Sequence, residues 1–219
     1  MDVISSTAED YLKAIWSALE WGGDPVTITA LAARFGTSTA SASDTVKRLV
    51  GQGLLEHEPY RPIGLTPLGE KHAVAVVRRH RLIETFLVAR LEYSWDEVHA
   101  EAETLEHAVS DLMIDRMDAL LGHPRTDPHG DPIPNRAGEV DYPAEALRVR
   151  DAEPGHYRVL RISDDDSAQL AVFEAAGLVT GVALEVRVRD GEGEIRIALP
   201  ENELALTPAS AGAVIVVPR

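Results

Sequence analysis

VHAEAETLEH, residues 98–107, sets His99, Glu103, Glu106 and His107 into one short acidic stretch. On an α-helix Glu103, Glu106 and His107 stand at i, i+3 and i+4, so their side chains project from one patch, as ligands from a single helix must if they are to meet one cation. His80 and Glu84 repeat the i, i+4 arrangement, and His99 lies one turn before Glu103. Five of the eight histidines fall between His80 and His129. The chain has no cysteine, so thiolate chemistry is excluded and any metal site is built from oxygen and imidazole nitrogen, a donor set that favours hard or borderline cations. Glutamate and histidine at helical spacing also make ordinary solvated faces. Two such pairs on neighbouring helices, with His99 beside them, weaken that reading and leave a metal site as an equal alternative.

The elements that must position these residues are legible in outline. With 219 residues and 45% hydrophobic content, the chain reads as globular, with room for one large or two to three small domains. No stretch approaches the roughly 18–20 apolar residues of a membrane span, and MDVISSTAEDY lacks the regions of a signal peptide, so a cytoplasmic location without membrane contact is expected. The net charge of −15 argues against general affinity for nucleic acid; DNA binding would have to be local or conditional.

Ser6-Thr7-Ala8-Glu9 reads as a capping box opening a helix whose apolar positions are Tyr11, Leu12, Ile15, Trp16 and Leu19, stopped at Gly22-Gly23-Asp24-Pro25. ITALAARFGTSTASASDTVKRLVGQGLL follows as two short helices joined at Gly36-Thr37-Ser38. Two extended pieces around Pro59-Tyr60-Arg61-Pro62 then suit a hairpin, which completes the order of a winged helix. From Pro67 the pattern is helical to Leu91. Ser94 and Glu97 form a second capping box, opening a helix expected to run to Gly122 with Val98, Ala102, Leu105, Val109 and Leu112 as its apolar stripe. HPRTDPHGDPIPNRAGEVDYP reads as an irregular linker. Beyond it HYRVLRI, LEVRVR, EIRIAL, LALT and AVIVV, with a turn at Asp190-Gly191-Glu192-Gly193 and a short helix near Ser167 to Ala176, suggest a small β-barrel.

In the helix-turn-helix, Thr37, Ser38, Thr39, Ser41 and Ser43 give the second helix hydroxyls that can cap it or meet phosphates and base edges. Lys47, Arg48 and Arg61 of the hairpin add cationic contacts. Asp44 is out of place there, because phosphate repels a carboxylate that can at best accept from a cytosine amino group.

The ordered set TAEDYLKAIW, LVGQGLL, LTPLGEKHA, RRHRLIETFL, VHAEAETLEHAVSD and PHGDPIP resembles the diphtheria toxin repressor family of metal-dependent bacterial transcription regulators, over nearly the whole chain. The resemblance implies a mainly α protein with a C-terminal SH3-like barrel: a winged-helix DNA-binding domain (1–72), a helical dimerisation and metal-binding domain with its proline-rich linker (73–146), and an SH3-like domain (147–219). It implies a primary metal site of Asp10, Glu103, Glu106 and His107. A second would use His80, Glu84 and His99, with Asp166 and Gln169 offered by the barrel. In some manganese-responsive members the turn before PIP supplies ligands, here Asp127 and His129.

Iron-responsive members resemble this chain but carry methionine and cysteine at the positions of Asp10 and Glu103. Two oxygens in place of two sulfurs move the site toward a hard cation, so the resemblance implies Mn(2+), with Fe(2+) the alternative and room for more than one ion per subunit. Shorter two-ion relatives have glutamate where Lys13 stands, which argues against a closely bridged ion pair. The implied function is a homodimeric, manganese-activated repressor that binds double-stranded operator DNA and controls metal-uptake genes. A winged-helix regulator answering to a small organic ligand is the rival reading. A di-iron enzyme is disfavoured because no helix here carries Glu-x-x-His.

Overall fold

A computed structural model describes residues 4–22, 25–58, 61–189 and 193–219. The chain divides into two compact units, residues 1–79 with 134–138, and residues 80–133 with 139–219.

The first unit is a helix, a helix-turn-helix and a two-stranded wing, followed by the opening turns of a long helix. Helix α1 (Ser6–Glu20) is capped one residue earlier than its sequence suggests, because the Ser5 hydroxyl accepts from the Ala8 amide at 3.3 Å. Its buried face includes Tyr11, Leu12, Ile15 and Trp16, whereas Leu19 is exposed. Helices α2 (Ile28–Arg34) and α3 (Thr39–Gly51) are joined through Gly36, whose φ of +60° is a left-handed conformation that glycine adopts without strain. Strands β1 (Leu55–Glu56) and β2 (Gly64–Leu65) pair antiparallel, with Leu55 opposite Leu65; Pro59 and Tyr60 lie outside the described residues, as do Gly23 and Asp24. Helix α4 (Pro67–Leu91) is capped by Thr66, whose hydroxyl accepts from the Gly69 amide at 3.0 Å and donates to the Gly53 carbonyl at 2.7 Å. Residues 134–138 join this unit through Arg78, which donates to the Pro134 carbonyl at 2.7 Å.

The second unit has two apolar clusters. Leu82, Ile83 and Leu87 of α4 meet Val98 and Ala102 of α5 (Trp95–Leu105) and Ile114 and Met117 of α6 (Asp111–Leu120). The single helix expected from Ser94 to Gly122 is therefore two. Its start is as expected, since the Glu97 carboxylate accepts from the Ser94 hydroxyl at 2.7 Å and from its amide at 3.4 Å. The break comes at Ser110, whose hydroxyl accepts from Met113 N–H and restarts the helix, serving as a cap where a helix interior would waste it. Leu112 consequently leaves the expected stripe and is exposed.

The remainder forms a six-stranded antiparallel sheet of β3 (Leu147–Arg148), β4 (Gly155–Ile162), β5 (Ala183–Arg189), β6 (Ile195–Ala198), β7 (Glu203–Leu206) and β8 (Val214–Pro218), ordered β3-β8-β4-β5-β6-β7. The β5–β6 hairpin is present; residues 190–192 of its turn lie outside the described residues. Among the described residues β3 and β7 do not pair, so the expected closed barrel is an open sheet. Bulges at Val159/Arg161 and Val186/Val188 bend it. Its edge strands are too short to close the ring: β3 is two residues long and turns at once into the 3-10 helix Val149–Asp151, while β7 lies between Pro200 and Pro208. Helices α7 (Ser167–Ala175) and α8 (Pro208–Gly212) cover a core of Val159, Ile162, Leu170, Phe173, Ile197 and Val216 among others.

Gly69 bears directly on the first unit, because a Cβ there would lie 1.9 Å from the Leu54 carbonyl oxygen. Gly69→Ala should therefore force α4 off the wing and cost about 1–3 kcal/mol, read as a lower midpoint in urea unfolding of the metal-free protein.

Candidate metal centre

Helix α4 carries His80 and Glu84 one turn apart, and both are buried, Glu84 completely. A carboxylate taken from water is costly unless it is paired. Here the pairing is with imidazoles: Glu84 Oε1 lies 2.9 Å from His80 Nε2 and 3.3 Å from His99 Nδ1. His99, on α5, also meets Asp164 Oδ2 at 2.9 Å, and its Nε2 is 3.5 Å from Glu103 Oε1. His80 Nδ1 meets Glu106 Oε2 at 2.6 Å, so this imidazole has a carboxylate on each nitrogen and satisfies both only when both nitrogens carry protons. Glu106 is fully buried and His107 Nε2 lies 3.6 Å from its other oxygen.

The second oxygen of Glu84 faces the turn before PIP. Glu84 Oε2 and His129 Nδ1 are 3.9 Å apart, fully buried, and without a hydrogen-bond partner among the described residues. Hard cations hold each ligand at about 2.0–2.6 Å, so two ligands of one ion lie roughly 3–5 Å apart. This pair of buried atoms fits that spacing, and buried polar atoms are otherwise nearly always satisfied.

Three groups of side chains in this unit keep one ligand atom each within 4.8 Å of one another: His80, Glu84, His99 and Asp164; His80, Glu103 and Glu106; and Glu84, Asp127 and His129.

 The first cluster is thus four side chains, while the second and third hold three each and borrow His80 and Glu84 respectively from the first. Each cluster offers only oxygen and nitrogen donors.

Charge is distributed unevenly over these groups. Burial opposes ionisation of Glu84, but the imidazoles of His80 and His99 outweigh it and hold the carboxyl at about 2. Burial likewise opposes the imidazolium of His99, yet its hydrogen bonds to Asp164 and Glu84 raise it to about 11. Asp164 is held well below the usual carboxylate range by His99 in spite of its own burial. Asp127 is pushed well above that range by burial and by the neighbouring Asp131 and Glu84, with Arg81 opposing.

Placement of the expected ligands is mixed. His80, Glu84, His99, Glu103, Glu106, Asp127 and His129 are gathered as described. Asp10 lies half-buried on α1 of the first unit. Glu106 and His107 stand beyond the last turn of α5 rather than along its face, Glu106 being the C-cap. Asp166 and Gln169 are engaged elsewhere: the Asp166 carboxylate caps α7 by accepting from the Gln169 amide at 3.0 Å, and the Gln169 side chain donates to Ser210 at 2.8 Å. Asp164, which sequence reasoning missed, reaches His99 instead. A signal was available, since an aspartate directly before Ser-Ala-Gln-Leu suits an N-cap, which sets Asp166 apart from Asp164 and Asp165 in the same run.

On the first unit, Ala42, Val46 and Leu49 bury one face of α3 and leave Thr37, Ser38, Thr39, Ser41, Asp44, Lys47 and Arg48 exposed, with Ser43 half-buried and Arg61 exposed on the wing. The Ser38 hydroxyl is taken by the Ser41 amide at 3.1 Å, as the cap of α3. Asp44 faces Lys47 at 3.5 Å, which offsets its negative charge on this surface.

The chain matches two family descriptions, "Iron dependent repressor, N-terminal DNA binding domain" over residues 3–63 and "Iron dependent repressor, metal binding and dimerisation domain" over residues 66–135. It is 32% identical to the iron-dependent repressor IdeR of Mycobacterium leprae over 220 residues, 95% of each chain. It is 31% identical to the diphtheria toxin repressor of Corynebacterium glutamicum over 213 residues, 92% of this chain and 91% of that one. A solved manganese-dependent transcriptional repressor in complex with manganese is similar at a TM-score of 0.91 and 44% identity, covering 97% of this chain and all of that one.

Since His99 is protonated up to about pH 11 in the metal-free protein, a cation bound through it must displace that proton. Apparent Mn(II) affinity of this cluster should rise about tenfold per pH unit between pH 6 and 8, with about one proton released per ion, measured by calorimetry in buffers of different ionisation enthalpy. Without metal the trend has the opposite sign. A raised histidine contributes fully below about pH 6.5 and loses its contribution as pH climbs toward 11, and the lowered carboxyls contribute above about pH 4 and lose theirs in acid.

Proposed function

The chain belongs to the diphtheria toxin repressor family of metal-dependent, DNA-binding transcription repressors, and from that premise we propose that manganese is the ion to which it responds. The observation that carries this reading is the donor set. Glu84 Oε2 and His129 Nδ1 are buried and unpartnered, every gathered group is a carboxylate or an imidazole, and the chain has no cysteine to offer a softer ion. Similarity to a manganese-dependent repressor over nearly the full length supports the same choice.

The proposed primary ligands are Asp10, Glu103, Glu106 and His107. Asp10 stands on the helix that precedes the helix-turn-helix, so an ion held by it makes the DNA-binding arrangement answer to metal. The bound cation supplies positive charge among carboxylates in a chain whose net charge is −15. The proposed second set is His80, Glu84, His99 and Asp164, with Asp127 and His129 on the other side of Glu84. The regulator is a homodimer whose two α3 helices enter successive major grooves of operator DNA, about 34 Å apart, with hydroxyls of Thr37, Thr39, Ser41 and Ser43 and the cations Lys47, Arg48 and Arg61 at the contact. It acts in the cytoplasm on genes of metal uptake, and no described helix is long and apolar enough to cross a membrane. The division into segments 1–72, 73–146 and 147–219 assigns DNA contact, dimerisation with metal binding, and support of the ligand turn to the three in order.

For the dimer surface we assign α6, which exposes Leu112, Met113 and Leu120. Large apolar side chains grouped on one exposed helix are an unfavourable surface for a monomer. Leu112→Glu together with Leu120→Glu should shift the protein to a monomer in analytical ultracentrifugation and reduce operator affinity by at least about tenfold.

Glu106→Gln removes a charge and a ligand while keeping the shape. The metal-free variant should be about as stable as the parent, because the new amide oxygen still accepts from His80 Nδ1 while one buried charge fewer has to be held. It should gain less stability from Mn(II) than the roughly 2.7 kcal/mol that a ligand at a hundredfold excess over its Kd provides, and it should bind operator DNA poorly. A Glu106→Gln protein that binds DNA normally at the same Mn(II) concentration would refute the assignment.

A further inference from the structure

The turn that presents Asp127 and His129 is built more firmly than a loop needs to be. Asp127 N–H donates to the Asp131 carbonyl at 2.9 Å, and the Asp127 carboxylate accepts from the amides of His129 and Asp131, each at 2.9 Å. On one side the turn lies against β4: Ile162 N–H donates to the His129 carbonyl at 2.9 Å. Gly130, at φ +88°, approaches so closely that a Cβ would stand 2.0 Å from the Leu160 carbonyl oxygen. On the other side Arg81 of α4 donates to the Pro132 carbonyl at 2.6 Å.

Buried charges join the two sides. Asp131, Arg161 and Arg81 are each 4% exposed. The Arg161 guanidinium, from β4, donates through Nε and Nη2 to Asp131 Oδ1. Arg81 places Nη2 3.6 Å from the other Asp131 oxygen and Nε 3.7 Å from Asp127 Oδ2. The His129 ring is thereby set edge-on to Trp95, with centroids 5.2 Å apart, and its Nε2 is 3.3 Å from the Trp95 carbonyl, which leaves Nδ1 as the nitrogen that faces Glu84.

We propose that Asp131 and Arg161, with Arg81 behind them, are positioning residues for His129, and that the C-terminal sheet acts on the metal response through this buried ion pair. The inference rests on the reading of Glu84 and His129 as ligands. Removing either partner takes from the other its nearest counter-charge in a buried setting, and Arg81, 3.6 Å from Asp131, does not replace the contact to β4, so the turn leaves its place there and Nδ1 loses its aim. Groups that orient a ligand in this way change metal affinity by about 10- to 100-fold when replaced.

The test uses the full-length protein. Mn(II) binding is followed by the spin-resonance signal of the free ion, and amide hydrogen exchange is measured without metal, for the parent, Arg161→Met, Arg161→Lys, the hydrogen-bonded neutral pair Asp131→Asn with Arg161→Gln, and His129→Ala. Arg161→Met should lower the affinity of the ion class that His129→Ala removes by about 10- to 100-fold, leave the class sensitive to Glu106→Gln unchanged, and speed exchange at the amides of His129 and Asp131. Arg161→Lys should recover part of both. The neutral pair keeps the turn assembled if Arg161→Met fails to fold, and it should lower that affinity less than Arg161→Met while keeping the amides protected. Parent-like affinity and parent-like exchange in a folded Arg161→Met protein overturn the proposal. If His129→Ala changes no ion class, the ligand reading fails. The exchange measurement, which needs no metal, then decides separately whether Arg161 holds the turn.

Discussion

A carboxylate with no solvent exposure, Glu84, sits among three imidazoles, and the elements around it are arranged by that fact. Water would solvate this charge far better than a protein interior, so the fold must supply substitutes from every direction. Helix α4 supplies His80, α5 supplies His99, and the turn before PIP brings up His129. Asp164, from the end of β4, then balances the imidazolium of His99. Without these partners the carboxylate would be neutral or the helices would part. With them, the charges are kept close together in a setting already desolvated, so a cation taking the place of the shared protons would cost little further desolvation.

What the sequence made legible follows from how local each signal is. The i, i+4 pair His80 and Glu84, the capping role of Ser94 and the winged-helix order depend on neighbours a few residues apart, and they stand in the structure as read. The break at Ser110 does not belong to that class. A serine can face solvent within a helix or cap a new one, and the choice is settled by the packing of Ile114 and Met117 against α4 and α5. That break carries Glu106 off the helical face and lets it reach His80 as a C-cap residue. Asp164 was hidden among three adjacent aspartates, and only the end of β4 and the cap of α7 determine which one points inward.

Arg81, Asp131 and Arg161 left no sequence signal at all, because charged residues are ordinarily solvated and these come from three separate elements. Sheet closure was unreadable for a related reason. Alternation marks strands and their two faces, but whether the first and last strands meet depends on lengths and bulges that alternation does not encode. The same distinction applies to the strongly acidic composition: a net charge of −15 describes the whole chain, while the exposed face of α3 carries Lys47 and Arg48, with Lys47 set against Asp44.

The first unit is discontinuous in the chain, since residues 134–138 belong to it along with residues 1–79. Arg78 holds the Pro134 carbonyl and Val74 packs beside Gly138, contacts that do not exist until the ribosome has passed both partners. Roughly sixty residues separate the two pieces, which at about 5–20 residues per second is about 3–12 s of synthesis. During that interval the first unit lacks residues 134–138, and its completion must wait until the turn that precedes them, residues 127–131, has been translated.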